Sequence, residues 1–191
     1  MAYKLETAQF LPEPIMLYYD VLVVGAGPAG LMAAEQVALS GMKVAVADLM
    51  PSPARKFLMA GKSGLNLTKQ EDAAVFIKNY DAIEPLRPML AEFGPKEVIG
   101  FAQNLEQEVF TGSTGRVFPK VMKASPLLRS WLTRLETLGV TLLRRHRWVG
   151  PLAVNKIHRF ETPAGGVQIN AKALILAMGG ASWARLGSDG A

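Results

Sequence analysis

Between Tyr18 and Ala47 the chain alternates dense apolar runs with glycine-rich breaks, and their order predicts a β-α-β unit. Tyr18 to Val24 is short, apolar and rich in β-branched residues, as a strand buried on both faces should be. Leu31 to Ser40 reads as a helix closed by Gly41, and Met42 to Ala47 as a second strand. Helical periodicity with polar faces then predicts helices over Gln70 to Tyr80, Ala82 to Phe93 and Pro95 to Glu108, a small helical excursion over about residues 70–110. Ser125 is placed to cap a helix from Pro126 to Leu138, with Pro126 at its first position. Val140 to Leu143 reads as a third sheet strand. From Trp148 to Asn170, apolar positions between turn signals such as Pro163-Ala164-Gly165-Gly166 predict an antiparallel meander. Ala171 to Ala177 is a further buried strand. The pattern is that of an α/β protein with a parallel central sheet.

The first strand runs straight into Gly25-Ala26-Gly27-Pro28-Ala29-Gly30, and each glycine has a separate use. Gly25 permits the tight turn, Gly27 lets the backbone approach a pyrophosphate, and Gly30 lets the helix lie close to the sheet. The helix start offers unpaired N–H groups and partial positive charge to a diphosphate. Asp48, followed by Leu49, ends the second strand where a carboxylate accepts hydrogen bonds from an adenosine ribose and repels a 2′-phosphate. A lone glycine triplet is weak evidence, but here strand, turn, helix, strand and acid occur in order. A bound dinucleotide is the expectation.

Composition narrows this further. The 191 residues, half of them hydrophobic, suffice for a sizeable core and exclude disorder. With no cysteine in the chain, disulfides, thiolate metal sites and cysteinyl flavin links are excluded, so any redox chemistry falls to a non-covalent cofactor. No His, Asp or Glu cluster has metal-ligand spacing. Met1 to Ile15 does not resemble a signal peptide, and Pro28, Glu35 and Lys43 break the apolar stretch from Val21 to Ala47 at loop-like positions. A cytoplasmic protein without a membrane partner is expected. The net charge of +5 is densest at Arg144-Arg145-His146-Arg147. Without interleaved aromatics this cluster reads as a solvated strand end rather than a nucleic-acid platform.

Two loops carry further candidates. Met50 to Lys56 is proline-rich and ends in adjacent cations, Arg55 and Lys56. Phe57 to Thr68 contains Gly61, Lys62, Ser63, Gly64 and Asn66, whose backbone N–H groups and side chains suit either a polar ligand or a plain connector. Arg116, in Gly115-Arg116-Val117-Phe118-Pro119, is a candidate anion or substrate contact. His146 and His158 are read as ordinary surface residues, and no catalytic acid or base is assigned.

Taken in order, the glycine fingerprint, Asp48, the R-K-x-L-x-x-G loop, the G-R-V-F-P segment, the meander and the A-M-G-G turn resemble the N-terminal half of the BaiN-like, aminoacetone-oxidase-family flavoproteins. The resemblance covers about Tyr18 to Ala191. It implies a glutathione-reductase-like Rossmann fold, a lead-in over residues 1–17, an FAD-binding domain over 18–191 and an absent substrate domain, so that the chain would be a fragment. The implied cofactor is non-covalent FAD, with NAD(P)H as a candidate electron donor and a small molecule as substrate. By the same resemblance Gly25, Gly27 and Gly30 flank the pyrophosphate, and Arg55 and Lys56 lie beside the adenosine half. The backbone near Val149 meets adenine, and Ala177, Met178, Gly179 and Gly180 close over the cofactor. A helix beginning near Gly187 to Gly190 would face the flavin. Many relatives carry Arg and Cys where this chain has Lys62 to Leu65, and Met178 replaces a usual threonine. Two alternatives stay open: an NAD(P)-binding module, and an inactive remnant that needs its missing half.

Overall fold

The computed structural model describes residues 15–81, 83–152 and 156–187. Strand β1 (Ile15–Val24) is followed by helix α1 (Pro28–Leu39) and strand β2 (Val44–Asp48). A short helix α2 (Arg55–Ala60) leads to β3 (Thr68–Lys69). The excursion holds α3 (Ala73–Phe76), a 3-10 turn (Ile77–Asn79), α4 (Ile83–Glu92) and α5 (Pro95–Asn104). Then come β4 (Val109–Thr111), β5 (Arg116–Pro119), α6 (Ala124–Thr137), β6 (Thr141–Arg144), β7 (Arg147–Pro151), β8 (Ile157–Thr162), β9 (Gly165–Leu176) and a 3-10 turn (Ala184–Leu186).

The main sheet runs β6-β2-β1-β9-β8-β7. Its first four strands are parallel and its last three antiparallel. Alternation along β1 and β2 divides the core in two. Val21, Val23, Val44 and Val46 face α1 and α6, whereas Leu22, Val24, Ala45 and Ala47 meet Phe160 and Ile169 of the meander. The result is three layers, helices on one side of the parallel strands and the meander on the other.

The meander's third strand and the strand read separately at Ala171 to Ala177 are one element. β9 pairs with β8 through its first half and with β1 along nearly its whole length. Other boundaries also differ. Asp72 caps α3 by accepting from the Ala74 N–H at 2.8 Å, so the helix starts later than Gln70. The α6 helix begins at Ala124 with Lys123 at its N-cap, so Ser125 lies inside the first turn rather than capping it. Arg55 and Lys56 open a helix instead of ending a loop. The three-stranded sheet β3-β5-β4 is absent from the sequence reading, because strands of two to four residues are too short to show a period. Of the expected lead-in over residues 1–17, residues 1–14 lie outside the described residues, and 15–17 already belong to β1, paired with β9 from Ile15 onward.

Glu35, too, departs from expectation: it lies inside α1 and is buried, not at a loop-like break. Its carboxylate accepts from the Trp131 indole N–H at 2.6 Å and pairs with Arg134 at 3.0 Å, tying α1 to α6. Glu35→Ala would leave the buried indole donor unpaired and strand a half-buried guanidinium. A loss of about 2–4 kcal/mol is expected in urea unfolding, whereas a shift within error would show the pair to be dispensable.

His158 is not the surface residue expected, because alternation along β8 turns it into the meander core, where Trp148 and His158 each bury a ring nitrogen without a hydrogen-bond partner. Burial holds the His158 imidazole below its ordinary pKa of 6.5. The unfolded chain therefore binds this proton first as pH falls, so the contribution is whole above about pH 6.5 and is lost toward the lower folded value. Replacing His158 by Phe is expected to flatten the fall in melting temperature between pH 8 and pH 5. An equal fall in both proteins would assign the dependence to other groups.

Candidate functional site

The C-terminal ends of β1, β2 and β9 bring two glycine turns together, the usual place for a ligand in an open α/β sheet. The Gly25 N–H donates to the Ala47 carbonyl and the Ala177 N–H to the Val24 carbonyl, both at 2.8 Å, so the turn after β1 is fixed between its neighbours. Gly25 has φ of +105°, and a Cβ there would collide with the Ala177 carbonyl. A Cβ on Gly30 would lie well inside contact distance of the Gly25 carbonyl oxygen and 3.3 Å from the Ala177 Cβ. Gly27 differs from both. No heavy atom lies within 4 Å of where its Cβ would be, and it is the N-cap of α1 with no side chain capping the helix. An open, uncapped helix start leaves N–H groups free for an anion, and Pro28 at the first position has no N–H to satisfy. Ala26 is buried beneath this turn, while Pro28 and Ala29 are exposed beside Gly27.

Asp48 supports the same turn. One carboxylate oxygen accepts from the Ala26 N–H and the other from the Met50 N–H, each at 2.7 Å. The acid thus braces the glycine loop, and each oxygen keeps a further lone pair for a ligand. The chain leaving β6 crosses here, with the His146 N–H donating to the Asp48 carbonyl at 2.9 Å. This brings the start of β7, and half-exposed Val149 within it, toward the Asp48 side. Leu49 is exposed at the end of β2.

The loop 49–54 and the start of α2 face the second glycine turn. The Ala54 N–H donates to the Ala26 carbonyl at 2.8 Å, the Lys56 ammonium reaches the Ser182 carbonyl at 3.4 Å, and Met50 packs where Gly187 has no side chain. Met178, Gly179 and Gly180 are exposed at this edge, with Ala177 partly covered beneath. Beside them lies a cavity of about 530 Å³ whose lining includes Arg55, Gly61, Lys62, Lys123 and Ser125. None of the three cations has a carboxylate partner among the described residues, and the uncapped start of α6 adds its partial positive charge. Sequence reasoning missed Lys123 and Ser125, which only the packing of α2 on α6 brings beside Lys62. A cation followed by a hydroxyl at a helix start was the available signal. Gly64 and Asn66 are not in this cavity. Gly64 lies against Met122, and Asn66 lines a second cavity. Leu65 is buried in the core. Of the proposed flavin-facing helix near residues 187–190, only Gly187 lies within the described residues.

Residues 19–191 match the HI0933-like protein Rossmann domain. The chain belongs to the HI0933-like family. The BaiN-like flavoprotein resemblance is thereby shown, and the fold with it. Among curated proteins, ferredoxin–NADP reductase of Salinispora tropica is 37% identical over 83 residues, covering 42% of this chain and 24% of the reductase. The ferredoxin–NADP reductase of Saccharopolyspora erythraea is 33% identical over 89 residues, covering 46% of this chain and 26% of that reductase. The matched segments thus span about a quarter of these relatives' length. Among solved structures, a quinol fumarate reductase of E. coli superposes with a TM-score of 0.67 at 14% identity, over 87% of this chain and 33% of that one. A flavocytochrome c3 fumarate reductase gives 0.64 at 21% identity, over 86% of this chain and 34% of that one. These likenesses show that the HI0933-like chain has the Rossmann fold of FAD-binding flavoenzymes, and with the family they support a flavin cofactor. No helix among the described residues is long and apolar enough to cross a membrane.

Proposed function

We propose that this chain is the FAD-binding portion of a cytoplasmic flavin-dependent oxidoreductase acting on a small molecule, with NAD(P)H as electron donor. The observation that carries the reading is the contrast among the three glycines, two closed against backbone and Gly27 open at an uncapped helix start. That opening fits a diphosphate approaching the backbone.

When bound, FAD supplies hydride or electron transfer through its isoalloxazine. The chain's own residues bind and orient it. The N-terminus of α1 holds the diphosphate, and the free lone pairs of Asp48 accept from the adenosine ribose. The strand carrying Val149 lies toward the adenine side. Arg55, Lys62 and Lys123 supply unpaired positive charge for the anionic cofactor, and Lys56 holds the second glycine turn through Ser182. The name of the Salinispora relative, a ferredoxin–NADP reductase, supports a nicotinamide nucleotide as a redox partner.

The test is the visible absorption spectrum of the purified chain after addition of FAD and removal of excess. A retained two-band flavin spectrum, bleached by NAD(P)H, is the expected result. A colourless chain that binds NAD(P)H with quenching of its nucleotide fluorescence would instead favour a nicotinamide-binding module.

A further inference from the structure

A second cavity, of about 720 Å³, lies at the far end of the segment that follows α2. Gly61 and Lys62 line the first cavity, whereas Asn66 and Leu67 line this one. Its size falls within the ordinary range of small-molecule sites. One side is the small sheet, and the other is the helical excursion.

The sheet's register sets the electrostatics. β3 and β5 are antiparallel, with Lys69 directly opposite Arg116. Alternation along β5 buries Val117 and Pro119 and leaves Arg116 exposed at the cavity. Like charges directly opposite across such a pair repel unless a counter-ion serves them. Lys69 has one, because its ammonium donates to one oxygen of the Glu71 carboxylate. The other Glu71 oxygen accepts from the Asn79 amide at 2.9 Å, so both are engaged. Arg116 has no carboxylate partner among the described residues. A guanidinium does not shed its proton to relieve the repulsion, so the lining carries an uncompensated cation in a fork geometry that suits a carboxylate.

The opposite wall is apolar and aromatic. Phe76 and Tyr80 meet edge to face, with ring centroids 5.5 Å apart. Phe93 joins them, and both Tyr80 and Phe93 remain more than a third exposed. Large rings left open around a concave site, facing one unpaired guanidinium, favour a ligand with an apolar ring at one end and a negative charge at the other.

We propose that this cavity binds a small aromatic carboxylate, with the carboxylate on Arg116 and the ring against Phe76, Tyr80 and Phe93. The site uses none of the residues that hold the cofactor in the proposed function, so it stands whether or not flavin binds.

Binding to the purified 191-residue chain is measured by calorimetry with 2-naphthylacetate and its neutral analogue 2-naphthylethanol, with and without added FAD. The acid is expected to bind saturably at one site and the alcohol at least roughly tenfold more weakly, from loss of a charge-assisted pair. Arg116→Gln should weaken the acid by a similar factor and leave the alcohol unchanged, and Arg116→Lys should lose less. Circular dichroism confirms that each variant is folded, and the Lys variant serves if the Gln variant is not. Lys62→Gln, which alters the first cavity, is expected to lower FAD uptake while keeping naphthylacetate binding. Absence of saturable binding, equal affinity for acid and alcohol, or indifference to loss of the Arg116 fork would overturn the proposal. Loss of acid binding in Lys62→Gln would do the same, by placing the ligand in the other cavity.

Discussion

Gly30→Ala is expected to destabilise the chain by about 3 kcal/mol or more, the upper end of what overpacking costs. The added methyl would meet the carbonyl oxygen of Gly25, a backbone atom that cannot rotate away. Gly25 is itself held by its N–H bond to Ala47, and Ala177 closes the other side of the gap. Relief therefore requires α1 to move off the sheet, opening the contacts of Leu31 and Ala34, both wholly buried. Chemical unfolding followed by far-ultraviolet circular dichroism measures the loss. A midpoint unchanged within error would mean that helix and sheet are not in the contact the structure shows.

Gly27→Ala should behave in the opposite way. Its backbone, at φ −78° and ψ 177°, suits any residue, and the methyl would enter open space. The cost to folding is that of a poorer N-cap, at most about 1 kcal/mol. Cofactor binding should suffer far more, because the methyl occupies the approach to the N–H groups at the start of α1. Losing one charge-assisted hydrogen bond corresponds to roughly 10- to 150-fold in affinity. Titration with FAD, followed by flavin fluorescence quenching, reads the difference. If Gly27→Ala retained full affinity, the diphosphate would have to lie elsewhere, and the assignment of the cradle would fail even with the fold intact.

The opposed behaviour of these two glycines was legible in the sequence, because spacing along a strand-turn-helix fixes which one faces the sheet and which one faces outward. The parallel strands were legible for a similar reason, since runs such as Val21 to Val24 are apolar on both faces. What escaped depended on partners distant in sequence. Glu35 looks like a polar break until Trp131 and Arg134 are packed against it. Asp48 was read as a ribose acceptor, and its bonds to Ala26 and Met50 follow from the course of the loop rather than from its own neighbours. Lys123 and Ser125 carry no motif and enter the cavity only because α6 begins beside α2. The short sheet that presents Arg116 has strands too brief for any period to register.

The pairing of β1 with β9 has a consequence for how the chain acquires its structure. These two strands form the middle of the main sheet, yet their partners stand about 150 residues apart. Local contacts can assemble the first β-α-β unit early, but its inner edge stays unpaired until β9 has been synthesised. Closing so long a loop is slow, and an exposed apolar strand edge invites association with other chains in the meantime. Release from the ribosome before Gly165 would leave β1 without this neighbour, so translation that pauses between β8 and β9 should raise the fraction of aggregated protein more than a pause after Leu176.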